Sequence, residues 1–294
     1  MGAQIVSIFL PVALALVMFG LGLSLTLADF ARVVKYPKAA IVALTCQIVV
    51  LPAICYGLVV LFGLNGVLAV GMMLLVASPG GTSANLFSHL AGGDVALNIT
   101  LTAVNSVLAM FTLPLVVAWS LAQFMAGDAS IGLQPAKLLQ MFAIVLVPVA
   151  IGMWVRHRYL GWTEKMQKPV KIASVVVLVL AVVFSIAGNF RLLLDNSETL
   201  GPVALLLSVL SLAVGYGVPR LLRVERRQAI ASAMEIGIHN AALAITLAIS
   251  VLGSEPMAVP AGIYGTVMFV PAAIAAYALS RKSSRVASVT GARD

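Results

Sequence analysis

Long apolar stretches alternate with short polar or basic ones along the whole chain, and most reach the about 20 residues a bilayer-spanning helix needs. They fall at about Gln4–Leu27, Ala39–Phe62, Val67–Leu90, Val95–Phe124, Ala136–Val155, Ile172–Gly188, Pro202–Val218, Gln228–Leu252 and Ala258–Leu279. The pattern predicts an all-α polytopic membrane protein of nine transmembrane helices, numbered here as segments one to nine.

Two segments are interrupted. Segment three carries Ser78, Pro79, Gly80, Gly81, Thr82, Ser83, Ala84 and Asn85 at its centre. Segment eight carries Glu235, Gly237, His239 and Asn240 in the stretch EIGIHNAAL. Glu235 is the one carboxylate well inside an apolar segment. A charge at that depth costs at least about 2.5 kcal/mol on insertion scales, so it calls for a partner. The residues around it weaken a helix or bring polar atoms to lipid depth, which predicts a helix broken in mid-membrane around something it binds.

Composition fits the same picture, with 62% hydrophobic residues, 10% charged residues and a mean hydropathy of +1.10. These values exclude a soluble domain of this length. The net charge of +8 and pI near 9.8 do not indicate nucleic acid, because the basic residues follow the loops and form no face. One side of a nine-span topology holds Arg32, Lys35 and Lys38, the 156–171 loop, Arg220 to Arg227, and the basic residues after residue 280. Only Lys137 and Arg191 fall on the other side. The positive-inside rule therefore puts the N-terminus outside and the C-terminus in the cytoplasm, in an inner (plasma) membrane. The first segment has no basic residue ahead of it and reads as a retained helix rather than a signal peptide.

Cys46 and Cys55 would lie about 14 Å apart along a helix, too far to bridge. No metal-ligand spacing, and no nucleophile beside a base, suggests an enzyme or a cofactor. The polar tail 281–294 is expected to be disordered and cytoplasmic. Nothing points to an obligate protein partner; the lipid bilayer is the surrounding medium.

Segments three and eight lie five spans apart, so they cross in opposite directions. Segments one to four against six to nine thus form an inverted repeat with two broken crossing helices. Paired breaks of this kind point to a transport site. Half-helix N-termini offer N–H groups to an anion, and freed carbonyls offer oxygens to a cation.

The stretches SPGGTSANLFSHLAGGDVALNITLT (Ser78–Thr102), EIGIHNAALAITLA (Glu235–Ala248) and MFGLGLSLTLADF (Met18–Phe30), the last followed by Pro37, resemble signature regions of the bile acid:sodium symporter family. The resemblance covers essentially the whole chain. It implies a ten-helix fold, here nine with the first helix missing, made of a core and a panel domain within one transmembrane unit, residues 1–280. The core would be about 39–124 and 200–280, the panel about 4–28 and 136–190. Two sodium sites are implied as well. The first maps to Asn85, Asn98, Thr102 and Glu235, with Ala84 standing where the family carries a hydroxyl. The second maps to Gln47, Glu235, the backbone of Ile236 and Ile238, and His239, which replaces a glutamine. An imidazole is a poor ligand for a hard cation, and a histidine near neutral pH also carries protons.

Sodium-coupled symport of an organic anion by alternating access is the expected function, with sodium as the coupling ion. The substrate would be bile-acid-like or a small carboxylate such as pantoate, met by Thr82 and Asn240 at the starts of the second half-helices. The alternative is a proton-coupled or uncoupled anion carrier using Glu235 and His239.

Overall fold

The computed structural model describes residues 33–81, 83–126, 135–166 and 190–290, with scattered positions between 12 and 23 and between 169 and 176. Among the described residues every regular element is helical. In chain order these are α1 (Pro37–Thr45), a π-helical turn Cys46–Val50, α2 (Leu51–Leu61), α3 (Gly66–Ala77), α4 (Ser83–Leu90), α5 (Val95–Phe124) and α6 (Pro135–Arg158). They are followed by α7 (Phe190–Leu221), α8 (Arg226–Gly237), α9 (Ala241–Ser250), a 3-10 turn Pro256–Ala258, α10 (Val259–Val267) and α11 (Phe269–Thr290).

Four continuous helical stretches are long and apolar enough to cross a membrane: Pro37–Leu61, Val95–Phe124, Asn196–Leu221 and Pro256–Ser280. The protein is a multi-pass helical membrane protein. Segments two, four, five and nine correspond to α1–α2, α5, α6 and α10–α11. Segment three divides into α3 and α4, and segment eight into α8 and α9. With 12 residues, α3 and α8 each reach only about 18 Å, short of the about 30 Å hydrocarbon core. Segments one and six lie mostly outside the described residues.

Two boundaries differ from the sequence expectation. Helix α7 begins at Phe190, well before Pro202. Residues 195–199 are polar, but 191–199 hold neither glycine nor proline, so the helix outlasts the apolar block. The tail, expected to be disordered, is helical to Thr290. Extending an existing helix needs no new nucleus, and RKSSRVASVT has no breaker.

Close approaches at glycines hold the helices together, as expected where small residues let backbones meet in lipid. A Cβ on Gly215 of α7 would come within 2.8 Å of the Ala233 Cα on α8. A Cβ on Gly71 of α3 would strike the Met257 carbonyl of the 3-10 turn. Gly22 and Gly152 face each other the same way, each against the backbone of the other's segment. Helix α8 packs against α7, α4 and α5, and α5 packs against α3 and α4. The middle of α8 is thereby enclosed: every residue from Ala229 to Gly237 is buried.

Candidate ion site where the two breaks meet

The break in segment three spans Ser78 to Gly81, and helix resumes at Ser83; Thr82 lies outside the described residues. The break in segment eight is Ile238 to Asn240. The two breaks bond to each other. Gly81 N–H donates to the Ile238 carbonyl at 2.8 Å, and Asn240 N–H donates to the Pro79 carbonyl at 2.9 Å, forming an antiparallel bridge between Gly80 and His239. Backbone groups freed from two helices at lipid depth thus satisfy each other, as the absence of water there requires. Ser83, Ala84 and Asn85, grouped with the break in the sequence reading, form the first turn of α4.

Glu235 occupies the last turn of α8 and is 2% exposed. Its Oε2 accepts a hydrogen bond from Thr102 Oγ1 at 2.5 Å, while Oε1 has no hydrogen-bond partner among the described residues. No ion pair reaches Glu235 among the described residues. The Asn105 amide and the Gly80 backbone face the same carboxylate, with Asn105 Nδ2 short of a formed hydrogen bond.

Asn98, Thr102 and Asn105 are spaced four and three residues apart and so share one face of α5. Asn98 is fully buried. Its Nδ2 donates to the Ala231 carbonyl at 2.9 Å, one turn before Glu235, and its Oδ1 has no partner. Thr102 Oγ1 also lies 3.0 Å from the Asn98 carbonyl. A hydroxyl has one hydrogen, so Thr102 serves either that carbonyl or Glu235 at a given moment. On α4, which packs against both α5 and α8, Asn85 Oδ1 is likewise buried without a partner. Ala84 is fully buried and adds no oxygen. Asn85, Asn98 and Glu235, on three helices packed against one another, each carry a buried oxygen with no hydrogen-bond partner among the described residues.

The second set of residues is chemically different. Gln47 sits in the π-helical turn, a distortion frequent at functional sites. Its Nε2 donates to the carbonyls of Val76 at 3.3 Å and Ser78 at 3.2 Å, satisfying the open end of α3, and its Oε1 is unpaired. Ile236 and Ile238 are fully buried, and the Ile238 carbonyl already accepts from Gly81. His239 is 1% exposed, and neither ring nitrogen forms a hydrogen bond. Its ring lies 5.3 Å from the Tyr264 ring at 41°, with the Ser78 backbone facing it. Tyr264 is fixed in turn by its hydroxyl, which donates to the Gly237 carbonyl at 3.0 Å.

Asn240 caps α9: its Oδ1 accepts from Leu243 N–H at 3.1 Å, leaving Nδ2 as its free donor. Three residues near Glu235 and His239 were not assigned to the site from the sequence. Asn105 was legible as the third member of the 98–102–105 face. Gly80 and Tyr264 act through close approach and a long-range hydrogen bond, which local sequence does not encode.

The family model described as the Sodium Bile acid symporter family matches residues 11–196. This chain belongs to that family. The match includes the first break and the Asn98–Thr102 face, while Glu235 and the second break lie beyond it. Among curated proteins, the chain is 27% identical over 260 residues to an uncharacterized sodium-dependent transporter, YocS, of Bacillus subtilis, covering 88% of this chain and 79% of that one. It is 27% identical over 255 residues to the probable sodium/metabolite cotransporter BASS1, chloroplastic, of Arabidopsis thaliana, covering 86% and 62%. It is 26% identical over 247 residues to the ileal sodium/bile acid cotransporter of Cricetulus griseus, covering 83% and 69%. All three are named as transporters, and this family member is a transport protein, not an enzyme.

Proposed function

We propose that this family member is a sodium-coupled symporter of a small organic anion, working by alternating access. The reading is supported by three buried, unpaired oxygens, Asn85 Oδ1, Asn98 Oδ1 and Glu235 Oε1, carried by three helices that pack against one another. A buried charge without a partner costs several kcal/mol, and oxygen is what a hard cation prefers. Sodium neutralises Glu235 here and takes the three oxygens as ligands. Thr102 completes the set: once the ion balances Glu235, its hydrogen turns to the Asn98 carbonyl and a lone pair faces the ion.

The anion site belongs at the starts of α4 and α9, where helix N-termini favour negative charge. Thr82 and Asn240 Nδ2 donate to a carboxylate or sulfonate. The substrate class is a bile-acid-like anion or a small carboxylate such as pantoate, in line with the cotransporter names of the relatives. Sodium orders the joined breaks and so creates the anion site, which couples the two bindings. In this reading nine helices form an inverted repeat, a core (about 39–124 and 200–280) rocks against a panel (about 4–28 and 136–190), and the C-terminus is cytoplasmic in the plasma membrane.

Thermal unfolding of the detergent-solubilised protein in sodium, potassium and choline chlorides tests the reading. Sodium alone is expected to raise the midpoint, as binding at a hundred times the dissociation constant adds about 2.7 kcal/mol, and Glu235→Ala is expected to abolish the rise. Equal midpoints in all three salts overturn it. They would favour the second reading, a proton-coupled or uncoupled carrier, which the unbonded ring of His239 supports and whose transport follows pH and ignores sodium.

A further inference from the structure

The unpaired buried atoms around the joined breaks divide by chemistry. On α4, α5 and α8 they are the oxygens of Asn85, Asn98 and Glu235, with the amide nitrogen of Asn105 beside the carboxylate. In the second set of residues they are one oxygen, Gln47 Oε1, and the two ring nitrogens of His239. From this division we infer that the transporter binds one sodium ion per cycle, and that His239 is the residue that closes the second position to sodium. The inference rests on the sodium-coupled reading above.

Whichever tautomer His239 adopts, a neutral imidazole presents one N–H, which repels a cation, and one nitrogen lone pair, which a hard cation disfavours relative to oxygen. The ring has little freedom to leave. It is 1% exposed and lies against Tyr264, whose own hydroxyl is fixed to Gly237, and its backbone is held in the bridge with Gly80. The oxygens that remain are already engaged or weakly placed. The Ile238 carbonyl accepts from Gly81, and Gln47 is oriented by two bonds from its nitrogen to the end of α3. Glu235 supplies one carboxylate for the whole region. Two sodium ions would share a single negative charge across a histidine ring.

The functional consequence is a coupling ratio. With one sodium, import of a monovalent anion moves no net charge, so the membrane potential adds nothing to the gradient driving it; a second sodium would make the cycle electrogenic. His239 would therefore set how steeply the protein concentrates its substrate.

Equilibrium binding of radioactive sodium to the purified full-length protein decides the matter. The native protein is expected to saturate at one ion per chain, and His239→Gln, which restores an amide oxygen, at two. Native saturation at two ions overturns the inference and leaves sodium coupling intact. No binding at all overturns sodium coupling and the inference with it. A well-folded His239→Gln that still binds one ion overturns the role given to His239. Should that variant fail to fold, Asn98→Ala serves instead: a single site predicts loss of essentially all sodium binding, and one retained ion overturns the inference.

Discussion

Gly80 lies directly against the carboxylate of Glu235, in the space its own side chain would otherwise fill. A Cβ at position 80 would overlap the carboxyl carbon and one oxygen and come within 2.6 Å of the other. The glycine of one break is thus the seat for the acid of the other. Gly80→Ala is expected to displace Glu235 from Thr102 and weaken sodium binding at least about tenfold, since overpacking costs about 1–3 kcal/mol. Sodium titration of thermal stability measures it, and an unchanged affinity would remove Gly80 from the site.

The Thr102 hydroxyl stands between Glu235 and the Asn98 carbonyl. Thr102→Val keeps the shape but removes the oxygen whose lone pair completes the sodium ligands in the proposed reading. Sodium affinity is expected to fall by about tenfold or more in Thr102→Val and to recover in Thr102→Ser, measured by equilibrium sodium binding. Equal affinities in the two variants would show that the hydroxyl is not used.

Tyr264 belongs to the frame, not the ion. Removing its hydroxyl in Tyr264→Phe leaves the Gly237 carbonyl without that donor, at a cost of about 1–3 kcal/mol. The unfolding midpoint should drop in potassium and in sodium alike, with the difference between the two salts preserved. A variant that loses only the sodium-dependent part would place Tyr264 among the ion-binding groups.

The contact of α7 with α8 has no room for a side chain at Gly215, where a Cβ would sit 2.8 Å from the Ala233 Cα and 3.2 Å from the Ser232 carbonyl. Gly215→Leu is expected to force α7 away from α8 and lower the unfolding midpoint by several degrees. Gly217, two residues on, meets nothing within 4 Å, so Gly217→Leu should be close to neutral. Equal effects of the two would refute a close approach at Gly215.

The position of Glu235 could be read from one sequence because an acid inside an apolar block needs a reason, and the two glycine-bearing interruptions could be read because helix breakers inside spans are costly. The face formed by Asn98 and Thr102 was also accessible, through helical spacing. What escaped depends on tertiary approach. Nothing near Gln47 in sequence says that its nitrogen closes the end of α3, and nothing near Gly80 says that a carboxylate from α8 will rest on it. The extent of α7 escaped for another reason: hydropathy locates the lipid-facing part of a helix, while the backbone continues through Asn196 and Glu198 because no residue there stops it. The count of nine spans, their inverted repeat, the split into core and panel, and the sidedness of the membrane remain part of the proposed reading, since segments one and six fall largely outside the described residues.

The reciprocal bonds between Gly81 and Ile238 and between Asn240 and Pro79 also constrain how the protein is made. Each break leaves backbone groups open at a depth where no water can serve them, and their partners lie in the other half of the chain. At a synthesis rate of about 5–20 residues per second, the Gly81 stretch precedes its partner by roughly 8–30 s. During that interval the first break must be sheltered by the insertion machinery or held at the membrane surface. The proposed ion site therefore cannot exist in either half alone: it forms only when one broken helix docks on the other.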